Sequence, residues 1–127
     1  MFDYTVTSQK DFDTAVDSLK HALADFKFGV LWELDLPAKL KEKGVDYQGN
    51  FRILEVCNPQ RAKAVLEINI QVGYFLPCKV VVYVENGVTM IGMPRPSVLI
   101  SQLGDNRLQE EAASVERDLM AAIDNAK

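Results

Sequence analysis

The dipeptide Asn86-Gly87 constrains this chain more than any other feature. It lies between two runs rich in β-branched and other apolar residues, Lys79 to Glu85 and Val88 to Met93. Asn and Gly both tolerate the left-handed backbone that a two-residue type I′ turn demands, and that turn matches the twist of the strands it joins. The two runs are therefore expected to form an antiparallel hairpin. Pro94 and Pro96 end its second strand, because proline has no N–H to give to a ladder.

The hairpin closes a longer stretch, Phe51 to Met93, that reads strand, helix, corner, strand, turn, strand. Arg52 to Cys57 is an apolar strand. Asn58 is placed to cap the following helix and Pro59 falls at its first position, where a missing N–H costs nothing. That helix buries Ala62, Val65, Leu66 and Val72 and ends near Gly73, and Tyr74 to Pro77 makes a corner that launches the next strand at Cys78. Both cysteines of the chain lie in this stretch.

Upstream, Phe2, Tyr4 and Val6 alternate with polar residues as in a half-buried strand. Ser8 is expected to cap a helix carrying Phe12, Val16, Leu19, Leu23 and Phe26 on one stripe, with Asp11 in its first turn. Phe28 to Leu34 reads as a second strand with Phe28, Val30, Trp32 and Leu34 on one face and Glu33 on the other. A short helix runs from Pro37 to Gly44, and Val45 to Asn50 is a loop in which Gly49 takes positive φ. Downstream, Ser97 to Leu103 forms a helical turn or a lid-like loop. From Asn106 onward Leu108, Ala112, Val115, Leu119 and Ile123 mark a final helix, with Glu110, Glu111, Glu116, Arg117 and Asp118 mostly outside. The expected fold is α+β: one mixed or antiparallel sheet of about five strands, helices mainly on one face, strand order open.

At 127 residues, with 48% hydrophobic and 25% charged content, residues 1–127 are expected to form one domain with one core. The net charge of -4 argues against nucleic acid or anionic membrane held by a bulk positive field. No apolar run reaches the roughly 20 residues that span a bilayer, and the N-terminal stretch lacks the pattern of a signal peptide. The expectation is a soluble, cytoplasmic protein with Cys57 and Cys78 as free thiols.

The arrangement of motifs resembles the family of domain of unknown function 302. The resemblance rests on ILEVCNP at Ile53 to Pro59, AVLEINI in the next helix, LPCKVVVY from Leu76, the Asn-Gly hairpin with Pro94, and the upstream GVLWELD and LKEKG segments. It implies a compact α+β domain, mostly bacterial and archaeal, with no agreed activity. The family motifs fall on Cys57, Asn58 and Pro59, and on Leu76, Pro77 and Cys78.

Candidate chemistry is sparse. Cys57 precedes a helix N-terminus whose dipole favours a thiolate, or it packs as a small apolar residue. Whether it meets Cys78 depends on the direction of the strand that Cys78 begins. With one His and no Cys-x-x-Cys spacing, the sequence offers no protein-only metal site; His21 sits off the apolar stripe of its helix and reads as solvated. Glu33 and Glu55 lie in apolar strands, facing either a cavity, with raised pKa, or the solvated side of the sheet. No glycine-rich phosphate loop is present. Tyr74, Phe75, Leu76, Met90, Met93 and Pro94 to Ile100 are more apolar than a corner requires and suit core, interface or pocket.

The function these features favour is a self-associating, dimeric and non-enzymatic module. It would bind a small or apolar ligand at Cys57, Asn58, Pro59, Leu76, Pro77 and Cys78. The alternative is a thiol-dependent redox or sensor protein centred on Cys57 and Cys78. No cofactor is identified.

Overall fold

The structure is a computed structural model covering residues 1–127. Five strands, β1 (Asp3–Ser8), β2 (Gly29–Asp35), β3 (Phe51–Cys57), β4 (Cys78–Glu85) and β5 (Val88–Pro94), form one antiparallel sheet in the order β1-β5-β4-β3-β2. The helices are α1 (Phe12–Asp25), α2 (Leu36–Glu42), α3 (Pro59–Ile68), α4 (Pro96–Ser101) and α5 (Gln109–Ala126), with 3₁₀ turns at Ile70–Phe75 and Asn106–Leu108. The fold is α+β, and the sheet is antiparallel throughout.

The Asn86-Gly87 turn forms with φ of 53° and 77°, and it sets β4 against β5 from Glu85↔Val88 to Val81↔Gly92. Along the paired strands Leu54, Val56, Val80, Val82, Ile91 and Met93 point to one side and are buried there by Val16, Leu19 and Leu23 of α1 and Leu119 and Ile123 of α5. Each fully buried aliphatic side chain of this kind contributes about 1.5–3 kcal/mol relative to exposure. α1 and α5 cross the same face, so the apolar stripes read from the sequence meet each other as well as the sheet.

Four expectations need correction. The first concerns α1, which is capped by Asp11 rather than Ser8: its carboxylate accepts from the Thr14 N–H at 2.8 Å. Ser8 belongs to β1, and its Oγ accepts from the Lys10 N–H instead.

In β2 the register shifts between Val30 and Trp32, leaving Leu31 as an extra residue. A bulge reverses the alternation beyond it. Val30 consequently pairs with Val56 on the helix side, whereas Trp32 and Leu34 pair with Glu55 and Ile53 on the other side. Glu33 thus turns toward the helices, where it takes Lys20 of α1 and Arg52 of β3 as ion-pair partners. Burial alone would raise the Glu33 carboxyl, but the hydrogen bonds and charges of Lys20 and Arg52 outweigh it and hold the group below its ordinary value. The Arg52 guanidinium also lies 5.5 Å from the centre of the Phe12 ring, a cation–π geometry.

The helix after Cys57 ends at Ile68 instead of running toward Gly73. Asn69 takes an extended backbone, and its side chain caps the 3₁₀ turn by accepting from the Gln71 N–H at 2.9 Å. Val65, Val72 and Leu108 form a separate apolar cluster there, beside the end of the sheet.

Finally, Glu116 lies inside. It is 7% exposed. Its Oε1 accepts from the Ser97 N–H and hydroxyl at 3.0 and 2.6 Å, and its Oε2 from Arg95 Nε and Nη2 at 3.2 and 3.0 Å. Four donors satisfy the buried carboxylate and lock the start of α4 to α5.

Candidate functional site

Because β3 and β4 are antiparallel, the end of one lies beside the start of the other. Val56 pairs with Cys78, and Cys57 is the next residue of β3. This answers the question of strand direction that the sequence left open. Both thiols are free, and both line one small cavity of about 40 Å³ between the sheet end, α3 and α5.

Its other walls include Val65 and Val72 of the smaller apolar cluster and Ala112 and Val115 of α5. Arg61 and Glu111 stand at its polar margin. Arg61 reaches α5, donating from Nη2 to Ser114 Oγ at 3.0 Å. Its Nη1 lies 2.8 Å from Asp118 Oδ2 but off the donor axis, so that contact is an ion pair and Nη1 has no hydrogen-bond acceptor.

A second and larger cavity, about 320 Å³, adjoins the first and opens at the sheet end. The two share Leu76, Cys78, Pro96 and Ile100. Tyr74, 82% exposed, and Pro77 stand on the outer walls, with Glu55 and Lys79, whose side chains pair at 2.9 Å, also along the lining. The Leu76-Pro77 peptide is cis. The Glu116 network holds α4, and with it Pro96, Leu99 and Ile100, against this opening.

Burial raises the Cys78 thiol to about 11, with the neighbouring Cys57 and Glu55 adding to the shift. At neutral pH Cys78 is therefore a neutral thiol and behaves as a small apolar wall.

The six residues singled out in the sequence take different places. Cys57, Asn58, Leu76 and Cys78 line the inner cavity, and Leu76, Pro77 and Cys78 line the outer one. The Asn58 side chain is already engaged, with Oδ1 accepting from the Arg61 N–H at 3.3 Å as the cap of α3. Pro59 opens α3 on the exposed surface and lines neither cavity. His21 is exposed, and its Nδ1 lies 2.8 Å from the Asp17 carbonyl in its own helix, far in sequence from either thiol.

Arg61 and Glu111 were not anticipated in the sequence. The Arg61-to-Ser114 contact joins positions 53 residues apart, beyond the reach of any local pattern.

The family model for Domain of unknown function DUF302 matches residues 4–126. The chain belongs to this DUF302 family. A solved structure is also similar to it, that of an uncharacterized conserved DUF302 protein from Bacillus stearothermophilus, at 47% identity and a TM-score of 0.96. The likeness covers 100% of this chain and 99% of that one. No curated protein matches the chain. In this DUF302 domain the Ile53–Pro59 stretch lies at the end of β3 and the Leu76–Cys78 stretch at the start of β4. No helix is long and apolar enough to cross a membrane.

Proposed function

We propose that this DUF302 chain binds a small apolar ligand in the crevice between the β4 start, α4 and the 3₁₀ turn at Ile70–Phe75. One observation carries the reading: an open cavity of about 320 Å³ and an inner one of about 40 Å³ meet across Leu76, Cys78, Pro96 and Ile100. Ligand sites are concave, mostly apolar and supplied with few polar groups. Here the polar groups are the Glu55–Lys79 pair on the outer lining and the Arg61 guanidinium at the inner margin, so an aliphatic or aromatic body with a small polar end fits the lining. Self-association, expected beside ligand binding, enters this reading through a different surface, the face of the sheet away from α1 and α5.

Titration with 1-N-phenylnaphthylamine, a dye that fluoresces in apolar sites, tests the reading. The expected result is saturable binding of one dye per chain, weakened about tenfold or more by Ile100→Trp, which fills the shared wall. Dye binding that fails to saturate, or that Ile100→Trp leaves unchanged, would overturn it.

A thiol-dependent role is supported by one separate observation, the meeting of Cys57 and Cys78 at one cavity. Iodoacetamide alkylation followed across pH distinguishes it. A sensor requires at least one thiol that reacts rapidly below pH 8, whereas Cys78 at about 11 is expected to react slowly there.

A further inference from the structure

The two cavities at the sheet end differ in polarity as well as in size. The outer one, about 320 Å³, has Glu55 and Lys79 in its lining, whereas the inner one, about 40 Å³, is walled mainly by apolar side chains. Val65, Val72 and Ala112 are buried among those walls. Cys78 adds little polarity, since it stays protonated at neutral pH and a protonated thiol packs as a small apolar group.

Arg61 and Glu111 are the charged residues of the inner lining. The Arg61 head is turned to α5: Nη2 donates to Ser114 Oγ, and Nη1 pairs with Asp118 and is buried, open to neither cavity. What Arg61 gives the inner cavity is its aliphatic stem. Glu111, on the same helix as Asp118, makes this margin unfavourable for an anionic group.

Polarity therefore orients a ligand that fills both cavities. A polar end placed inside would lose its hydration among apolar side chains; at Glu55 and Lys79 it finds partners. Size restricts the other end. The inner cavity is little larger than the roughly 30 Å³ that one water takes up in the liquid, so it admits the end of a chain and excludes a ring or a fork. Charge restricts the polar end. Glu55 and Lys79 already neutralise each other at 2.9 Å, and a charged group would repel one of them. A hydroxyl suits both, because it donates to the carboxylate and accepts from the ammonium.

We propose that the crevice is selective for unbranched aliphatic alcohols bound tail first, with the terminal methyl in the inner cavity past Ile100 and the hydroxyl between Glu55 and Lys79. Ala112, in the wall of the inner cavity, sets where the chain stops. This selectivity rests on the reading of the crevice as an apolar-ligand site, to which it adds the ligand's class, its direction and a specificity residue.

Displacement of 1-N-phenylnaphthylamine from the full chain, together with nuclear Overhauser contacts from the bound alcohol, tests it. 1-Octanol should displace the dye, and 6-methyl-1-heptanol, an isomer forked at the tail, should do so about tenfold or more weakly. Octanoate and octylammonium should each be weaker than 1-octanol by about the same factor. The terminal methyl of 1-octanol should contact Val65 and Ala112, and its hydroxyl-bearing carbon Lys79. Ala112→Val fills the inner cavity and should abolish the preference for 1-octanol over its isomer; should that variant not fold, the contacts in the unmodified chain decide the direction. Equal binding of the two isomers, a charged chain that binds as tightly as 1-octanol, a terminal methyl in contact with Tyr74 and Lys79 instead, or a folded Ala112→Val chain that keeps the preference would each overturn the selectivity and leave the crevice reading standing. Bound dye that no alcohol displaces would do the same, whereas dye that never saturates would overturn both.

Discussion

The two faces of the sheet are built from similar residues and are covered differently. Leu54 and Ile53 are neighbours on β3, Val80 and Val81 on β4, and each pair differs by little in chemistry. Leu54 and Val80 are fully buried beneath α1 and α5, while Ile53 and Val81 remain part-exposed on the opposite side. Apolar character alone therefore does not say which face holds the fold together. What decides is the presence of a second layer: the α1 and α5 stripes supply one for the first face, and the chain supplies none for the second.

Truncation on each face probes that contrast, with the largest effect on the covered side. Leu54→Ala removes a fully buried side chain and should cost about 2–5 kcal/mol of stability, at any protein concentration, by urea denaturation. Ile53→Ala, on the half-exposed side, should cost less than about 1 kcal/mol. Equal costs at both sites would erase the distinction.

The Glu116 network comes next. Glu116→Gln leaves the Arg95 guanidinium without its carboxylate and should cost about 2 kcal/mol. Burial would raise Glu116, but the Ser97 and Arg95 hydrogen bonds outweigh it, so the folded-state pKa lies below the unfolded one. The sign follows: the stabilisation is present above the ordinary carboxylate value of 4.5 and is lost as pH falls below it, through the folded-state pKa. Stability measured from pH 7 to pH 3 should therefore decline less steeply in Glu116→Gln than in the unmodified chain. Parallel profiles would contradict this account of the network.

Gly92→Ala is of similar size. The new methyl group meets Thr5 and should cost about 1–3 kcal/mol through strain at the β1–β5 pairing, with part of the loss recovered by adding Thr5→Ala. Full additivity of the two substitutions would show that they do not meet. At the hairpin, Gly87 has φ of 77°, and Gly87→Ala should lower stability by about 1 kcal/mol. An unchanged midpoint in thermal melting would count against the type I′ geometry.

How much of this was legible in the sequence follows from how local each determinant is. The Asn86-Gly87 turn, the Asn58-Pro59 cap and the stripes of α1 and α5 are written within a few residues, and the structure has them. The α+β class followed from them. The Leu31 bulge was not legible, because Phe28 to Leu34 is apolar nearly throughout and gives alternation no polar residue to fix its phase before Glu33. Unbroken alternation puts Trp32 on the same face as Phe28, whereas the bulge turns it to the uncovered face. Glu116 was read as exposed since its partners, Arg95 and Ser97, lie about a helix length or more away in sequence.

The crevice was half legible: the two corner motifs located its walls at Leu76 and Cys78, but α4's contribution required the tertiary fold. Pro59 starts α3 as its motif implies, but it lies on the surface and lines neither cavity.

The central claim is that the crevice at the sheet end takes up an apolar molecule, and methyl-labelled NMR titration with 1-octanol tests it most directly. Saturable shifts at the Leu76 and Ile100 methyls, with Leu54 and Ile53 still, are the predicted result. Shifts confined to Ile53, Val81 and Leu34, or no saturable shift at any methyl, would contradict it.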